Sequence, residues 1–134
     1  MGEGSDVVFN YSKYKSDYIR PDNGSNDTHE DYGTKDNDAI SLQYTAKISS
    51  RLSNQFNVYR HRTNFNDNYN LNGAGWPFNW DMGMRTSGIS DQLTYTLDNQ
   101  TIIGGFDWYK DKITKYKNDA SEGAHASNTA FYLQ

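Results

Sequence analysis

Hydrophobic residues in this chain recur at every second position, over runs much longer than the five- or six-residue strand usual in soluble domains. In AISLQYTAKISSRL, residues 39–52, the even positions carry Ile40, Leu42, Tyr44, Ala46 and Ile48, with Leu52 following Ser50. The odd positions carry Ser41, Gln43, Thr45, Lys47, Ser49 and Arg51. A strand sends successive side chains to opposite faces, so this run has one apolar and one wet face. The stretch around GGFDWYKD, residues 104–111, behaves alike: Ile102, Phe106 and Trp108 share one side, and Thr101, Asp107, Tyr109 and Asp111 the other. PFNWDMGMR, residues 77–85, sets Phe78, Trp80, Met82 and Met84 against Asn79, Asp81, Gly83 and Arg85. In QLTYTLD, residues 92–98, the apolar Leu93, Tyr95 and Leu97 take the odd positions instead. That change of parity predicts a β-bulge or sharp bend across TSGIS, residues 86–90.

These patterns predict an all-β chain, an antiparallel up-and-down meander of about six long strands. The strands fall near residues 6–14, 39–50, 55–65, 78–97 (one long bulged strand), 101–112 and 128–134. Their connections alternate in length. A long polar loop covers 15–38, a tight turn follows around RLSN, and a second long loop is NDNYNLNGAGW. A tight DNQ turn and a third long loop, ITKYKNDASEGAHAS, complete the series. Long loops at one end and short turns at the other are the pattern of a transmembrane β-barrel, and the meander is read as part of one. A soluble β-sandwich also alternates, but it rarely runs strands of this length in a plain meander.

Composition agrees. Only 34% of residues are hydrophobic, and the mean hydropathy is −0.99. Trp, Tyr and Phe number 3, 11 and 6, so aromatics supply much of the apolar surface, which suits strands. There is no apolar run of about 20 residues, which excludes a transmembrane helix but not a barrel, whose lumen and loops are polar. Without cysteine there is no disulfide framework or thiolate metal site. A net charge of −4 and a pI near 5.2 argue against nucleic-acid binding. The opening MGEGSDVVFNYSK lacks the basic and apolar segments of a signal peptide.

TIIGGFDWYKDKITKY, followed by NTAFYLQ, resembles a barrel hairpin of the TonB-dependent outer-membrane receptors, in the branch that takes up vitamin B12 (cobalamin). In that family a Gly-apolar-Asp-Trp strand, a polar extracellular loop and an Asn-Thr-x-x-Tyr-Leu strand follow one another. GSDVVFNYS, residues 4–12, resembles the family's Asp-Val-Val strand start. KDNDA, residues 35–39, resembles its Asp-Asn-Asp loop end, and RTNFND, residues 62–67, the top of the next strand. The chain departs from the pattern in a longer first loop and a shorter stretch between Asp67 and Thr101. The resemblance implies a bacterial outer-membrane location, with lipid against the apolar face and the barrel lumen against the wet one. It implies that residues 1–134 are a partial receptor barrel, since such receptors add a plug that contacts TonB and close over more than twenty strands. The expected ligand is cobalamin or a related scarce nutrient, with an iron–siderophore complex next. A soluble calcium-dependent β-sandwich binding module is the competing reading.

Residues 15–38 hold Asp17, Asp22, Asp27, Glu30, Asp31, Asp36 and Asp38 against three basic side chains. Carboxylates and amides on a loop are the oxygen ligands that calcium prefers. The spacing is not that of an EF-hand, and by spacing alone a solvated acidic loop is the better reading. The resemblance implies calcium at Asp6, Asp36, Asp38 and Asp67, which match the family's aspartates, with a further ligand position near Leu71 between Asn70 and Asn72. His29, His61 and His125 are scattered, and no serine–histidine–aspartate order or phosphate loop is present, so no enzyme activity is expected. Trp80 and Trp108 are read as members of the aromatic girdle at the membrane interface. Trp76 and Tyr69 are the candidates for ligand contact from the loops.

Overall fold

A computed structural model of the chain describes residues 4–20, 31–70, 77–116 and 123–134. All of its regular structure is strand: β1 (Ser5–Arg20), β2 (Asp31–Lys47), β3 (Leu52–Asn70), β4 (Pro77–Leu97), β5 (Gln100–Tyr116) and β6 (His125–Leu133). They form one sheet in the order β1-β2-β3-β4-β5-β6, each antiparallel to the next. Such a meander is consistent with part of a barrel wall.

The strands are longer than the hydrophobic alternation indicates, and they lengthen toward the long connections. β1 does not end at Tyr14; its ladder with β2 continues through Lys15↔Asp36 to Arg20↔Asp31. Most of the acidic stretch expected to be loop is therefore paired strand. The reason is that hydropathy reports what a face touches, whereas the ladder is made by backbone groups that pair whether the side chains are apolar or not. β1–β5, at 16–21 residues, are longer than the roughly 9–11 residues of tilted strand that one bilayer crossing takes.

At the opposite end the connections are short. Residues 98–99 join β4 to β5, and Arg51 there forms an exposed ion pair with Asp98 at 3.0 Å. The β2–β3 turn occupies 48–51, slightly ahead of RLSN. Its Ser49 Oγ accepts from the backbone N–H groups of Arg51 and Leu52 at 3.2 and 3.0 Å. This is the local capping that a serine offers a turn.

The bulge predicted across 86–90 is absent. The β3–β4 register runs unbroken from Leu52↔Tyr95 to Asn70↔Pro77. The irregularity lies instead between Gly83 and Met84 on the β5 side, where Met84↔Ile113 is followed by Gly83↔Lys115. The parity change along β4 is a change in which face carries apolar residues, not a reversal of the backbone.

Among the described residues no hydrophobic side chain is buried, and the one buried polar side chain is Asp67. A soluble sandwich would bury the apolar faces of two sheets against each other; here a single sheet leaves them bare.

Candidate functional site

Residues directly opposite in an antiparallel ladder project to the same face, so the registers sort every strand. On one face Phe9, Leu42, Val58 and Ile89 continue across the strands into Trp108, flanked by rows containing Tyr44, Phe56 and Phe106. This apolar face has no protein against it: Phe9 is 62% exposed and Phe131 81%. The band spans about four side-chain positions per strand, on the order of 20–25 Å along the chain, close to the outward apolar belt of a membrane barrel. The separation of Phe106 and Trp108 from Asp107 and Asp111 seen in the sequence holds in the sheet. Trp108 lies near the loop-side limit of the band, on the apolar face.

One charge interrupts the band. Asp91 lies opposite both Phe56 and Phe106. Asn54 Nδ2 donates to its Oδ1 at 2.7 Å and to the Gln92 carbonyl at 3.2 Å. A carboxylate among apolar side chains is stabilised by such a donor.

The opposite, polar face is lined in mid-sheet by hydroxyls and amides, among them Asn10, Ser41, Asn57, Ser90, Gln92 and Thr94. Three tyrosines on it lie directly opposite glycines: Tyr18↔Gly33, Tyr59↔Gly88 and Gly105↔Tyr132. Each ring occupies the space a Cβ on the glycine would take. Two of the hydroxyls then reach the strand beyond. Tyr18 donates to Asp67 Oδ1 across β2, and Tyr132 donates to Gln92 Oε1 at 3.3 Å across β5. The glycines let the rings lie flat, and the hydroxyls tie three strands together at a time. Further cross-strand bonds are Thr86 Oγ1 to Asp111 Oδ1 at 2.6 Å and Asn128 Nδ2 to the Tyr109 hydroxyl at 2.8 Å.

Toward the long connections the polar face changes character. Tyr18 packs on Phe65 with ring centroids 6.2 Å apart, and Trp80 meets Tyr116 edge-on at 5.3 Å. Met82 and Met84 share this face, opposite Phe65 and Thr63. Asp67, 4% exposed, lies between Gly33 and Trp80 in the register. An open hollow of about 340 Å³ adjoins this shelf where β5 bulges, lined by Met84, Asp111, Ile113 and Ala126. Aromatic rings and thioethers around one hydrogen-bonded carboxylate form a surface suited to a large, partly apolar ligand at the loop end of the wet face. Trp80 belongs to this shelf and not to the girdle, because its partner Asp67 faces the polar side. The sequence carried the signal in its parity change: the apolar residues of 80–84 lie on the polar face and those of 89–95 on the face of the apolar band.

The expected calcium ligands are distributed over both faces. Asp36 and Asp38 lie on the apolar-band side of the sheet, opposite Lys15 and Lys13, and Asp38 is in an ion pair with Arg62. Asp67 and Asp6 lie on the polar face, Asp6 at the short-turn end opposite Thr45. Among the described residues no group of three or more His, Cys, Asp or Glu is placed to hold a metal. Tyr69 pairs with Phe78 in the β3–β4 ladder, but its side chain lies outside the described ones. Trp76, Leu71 and Asn72 lie outside the described residues, as do Asp22, Asp27, His29 and Glu30.

Fold and faces together define a single antiparallel sheet with one largely apolar face and one polar face. Among solved structures the chain matches the "Copper transporter OprC", with a TM-score of 0.59 and 14% sequence identity. The match covers 96% of this chain and 23% of that one, so the likeness is of fold and the chain spans under a quarter of the solved protein's length. No family model matches the sequence. No curated protein matches it either.

Proposed function

We propose that this chain is a wall segment of a TonB-dependent transport barrel in the bacterial outer membrane, a binding and translocation structure rather than an enzyme. The observation that carries this reading is the one-sided sheet: six meandering strands, no buried hydrophobic side chain among the described residues, and one apolar band interrupted only by the hydrogen-bonded Asp91. A fold match to a transporter of that class over nearly the whole chain supports it. The polar face lines the lumen, and the shelf around Tyr18, Phe65, Trp80 and Tyr116 meets the cargo as it enters from the long connections. TonB acts through a plug that these strands would surround.

The preferred cargo is cobalamin, from the resemblance of the GGFDW and NTAFYL strands; a ferric siderophore is second. Both are large ligands with extended apolar or conjugated surface, which an aromatic shelf can hold. Calcium is not part of this proposal, since the aspartates matched to the family lie on opposite faces. Uptake tests the reading. Cells whose only receptor is the full protein carrying this chain are given labelled cobalamin, ferric siderophore or copper, with and without TonB. TonB-dependent uptake of cobalamin is the expected result. Uptake of another cargo alone corrects the ligand, and uptake of none overturns the transport reading.

A further inference from the structure

On the apolar-band side, just past the band toward the long connections, the register sets Arg62, Arg85 and Lys112 directly opposite one another on β3, β4 and β5. Lys110 lies one pleat nearer the band, two residues from Trp108 and opposite Ser87. Partners in such a row are about 5 Å apart, and like charges so placed repel. On neighbouring β1 and β2 the same height shows the mixed signs of an ordinary solvated rim, with Lys13 opposite Asp38 and Lys15 opposite Asp36. On β3–β5 that balance is missing. Arg62 has Asp38, but among the described residues Arg85, Lys110 and Lys112 have no ion pair, and the nearby Asp81 is held by Lys115. All this occurs in a chain whose net charge is −4.

We propose that this row is a docking site for the phosphate-bearing headgroups of membrane lipid in the leaflet on the long-connection side. Charge complementarity and position both favour a lipid over a soluble anion. The row is continuous with the apolar band, lying about 7–13 Å along the strands beyond Ile89 and Trp108. One lipid can therefore lay its acyl chains on the band while its phosphate bridges Arg85 and Lys112, relieving their repulsion. On the polar face at this height stands Asp111, whose carboxylate, hydrogen-bonded by Thr86, would repel the same headgroup. The proposal rests on the wall reading given above and adds the identity of the molecule that meets its outer rim.

The test uses the full protein carrying this chain, extracted from membranes in mild detergent and titrated by native mass spectrometry with dioleoyl phosphatidic acid or with dioleoylglycerol, the same lipid without phosphate. Phosphatidic acid is expected to bind and dioleoylglycerol not to. Replacing Arg85, Lys110 and Lys112 together by Gln should weaken phosphatidic acid binding about a hundredfold. Lys112→Gln alone should weaken it about fivefold, should the triple variant not fold. Lys35→Gln removes the same charge at a similar height on the polar face, opposite Phe65, and should change nothing. Equal binding of both lipids, an unaffected Lys112→Gln variant, an equal loss in Lys35→Gln, or displacement by equimolar inorganic phosphate would each overturn the proposal. Protein recovered from the aqueous fraction without detergent would overturn the wall reading and the lipid site together. Membrane-inserted protein indifferent to phosphate would overturn the lipid site alone.

Discussion

The turn-side and loop-side halves of this sheet share one backbone plan and differ in every other respect. In the turn-side half, Leu42, Val58 and Ile89 face one way and Gln43, Asn57 and Ser90 the other. In the loop-side half the polarity is inverted. The face continuous with the apolar band carries Arg62, Arg85 and Lys112, while the polar face gathers Phe65, Met82 and Trp80. A sheet within one uniform solvent has no reason to exchange its faces partway along. A sheet that passes from hydrocarbon into headgroups and water has one, because outside the membrane the outward face can be charged and the inward face is free to bind.

That contrast can be broken by mutation, and the largest effect is expected at the centre of the band. Val58→Arg places a guanidinium between Leu42 and Ile89 and should cost about 2–4 kcal/mol of folding stability in bilayers. Asn64→Arg, on the same face of β3 beyond the band, should cost close to nothing; urea titration of the two variants in lipid vesicles compares them. Next in size are the glycines beneath the tyrosines. A Cβ at Gly88 would come within 2.6 Å of Tyr59 Cζ and 2.8 Å of the Trp108 carbonyl oxygen. Gly88→Ala should therefore destabilise by about 1–3 kcal/mol, whereas Ser87→Ala beside it should be nearly silent.

Asp91 sharpens the comparison from the other direction. Asp91→Asn keeps an acceptor for Asn54 and removes a charge from the lipid side, so it should stabilise the protein in bilayers by about 1 kcal/mol. The same charge removal at Asp107, on the polar face, should give no gain in that titration. The smallest effect belongs to the short-turn end. Arg51 and Asp98 are 53% and 86% exposed, so Asp98→Ala should shift stability by no more than about 0.5 kcal/mol.

The number, order and antiparallel sense of the strands were legible because the turn-side half obeys a period of two, and the DNQ turn was found where a short polar break interrupts it. The extensions to Arg20, Asp31 and Tyr116 were not legible, since apolar Tyr18, Ile19, Tyr32, Ile113 and Tyr116 are scattered there among charged residues and keep no period of two to read. The parity change in β4 was seen and given the wrong cause. A bulge and an exchange of faces produce the same string of letters, and only pairing with Arg62 and Thr63 on β3 distinguishes them. The aspartates show a further limit. Asp38 and Asp67 belong to matching motif pieces, yet faces are fixed by register, which puts Asp38 in an ion pair with Arg62 on the apolar-band side and Asp67 buried on the polar face. The Tyr–Gly pairs were illegible for the same reason, their partners standing 15, 29 and 27 positions apart in the chain.

The central claim is that lipid covers one face of the turn-side half and water the other. The chain contains no cysteine, so single cysteines introduced one at a time from 53 to 67 on β3 give unambiguous label positions. Spin labels at these sites, in the full protein reconstituted into vesicles, are challenged with oxygen, which concentrates in lipid, and with a water-soluble nickel chelate. Oxygen accessibility should peak at 54, 56 and 58 and chelate accessibility at 53, 55 and 57, with the alternation fading from about 62 onward. Alternation that continues undiminished to 67, or equal chelate access on both faces at 55–58, would contradict a membrane wall and leave a water-soluble sheet in its place.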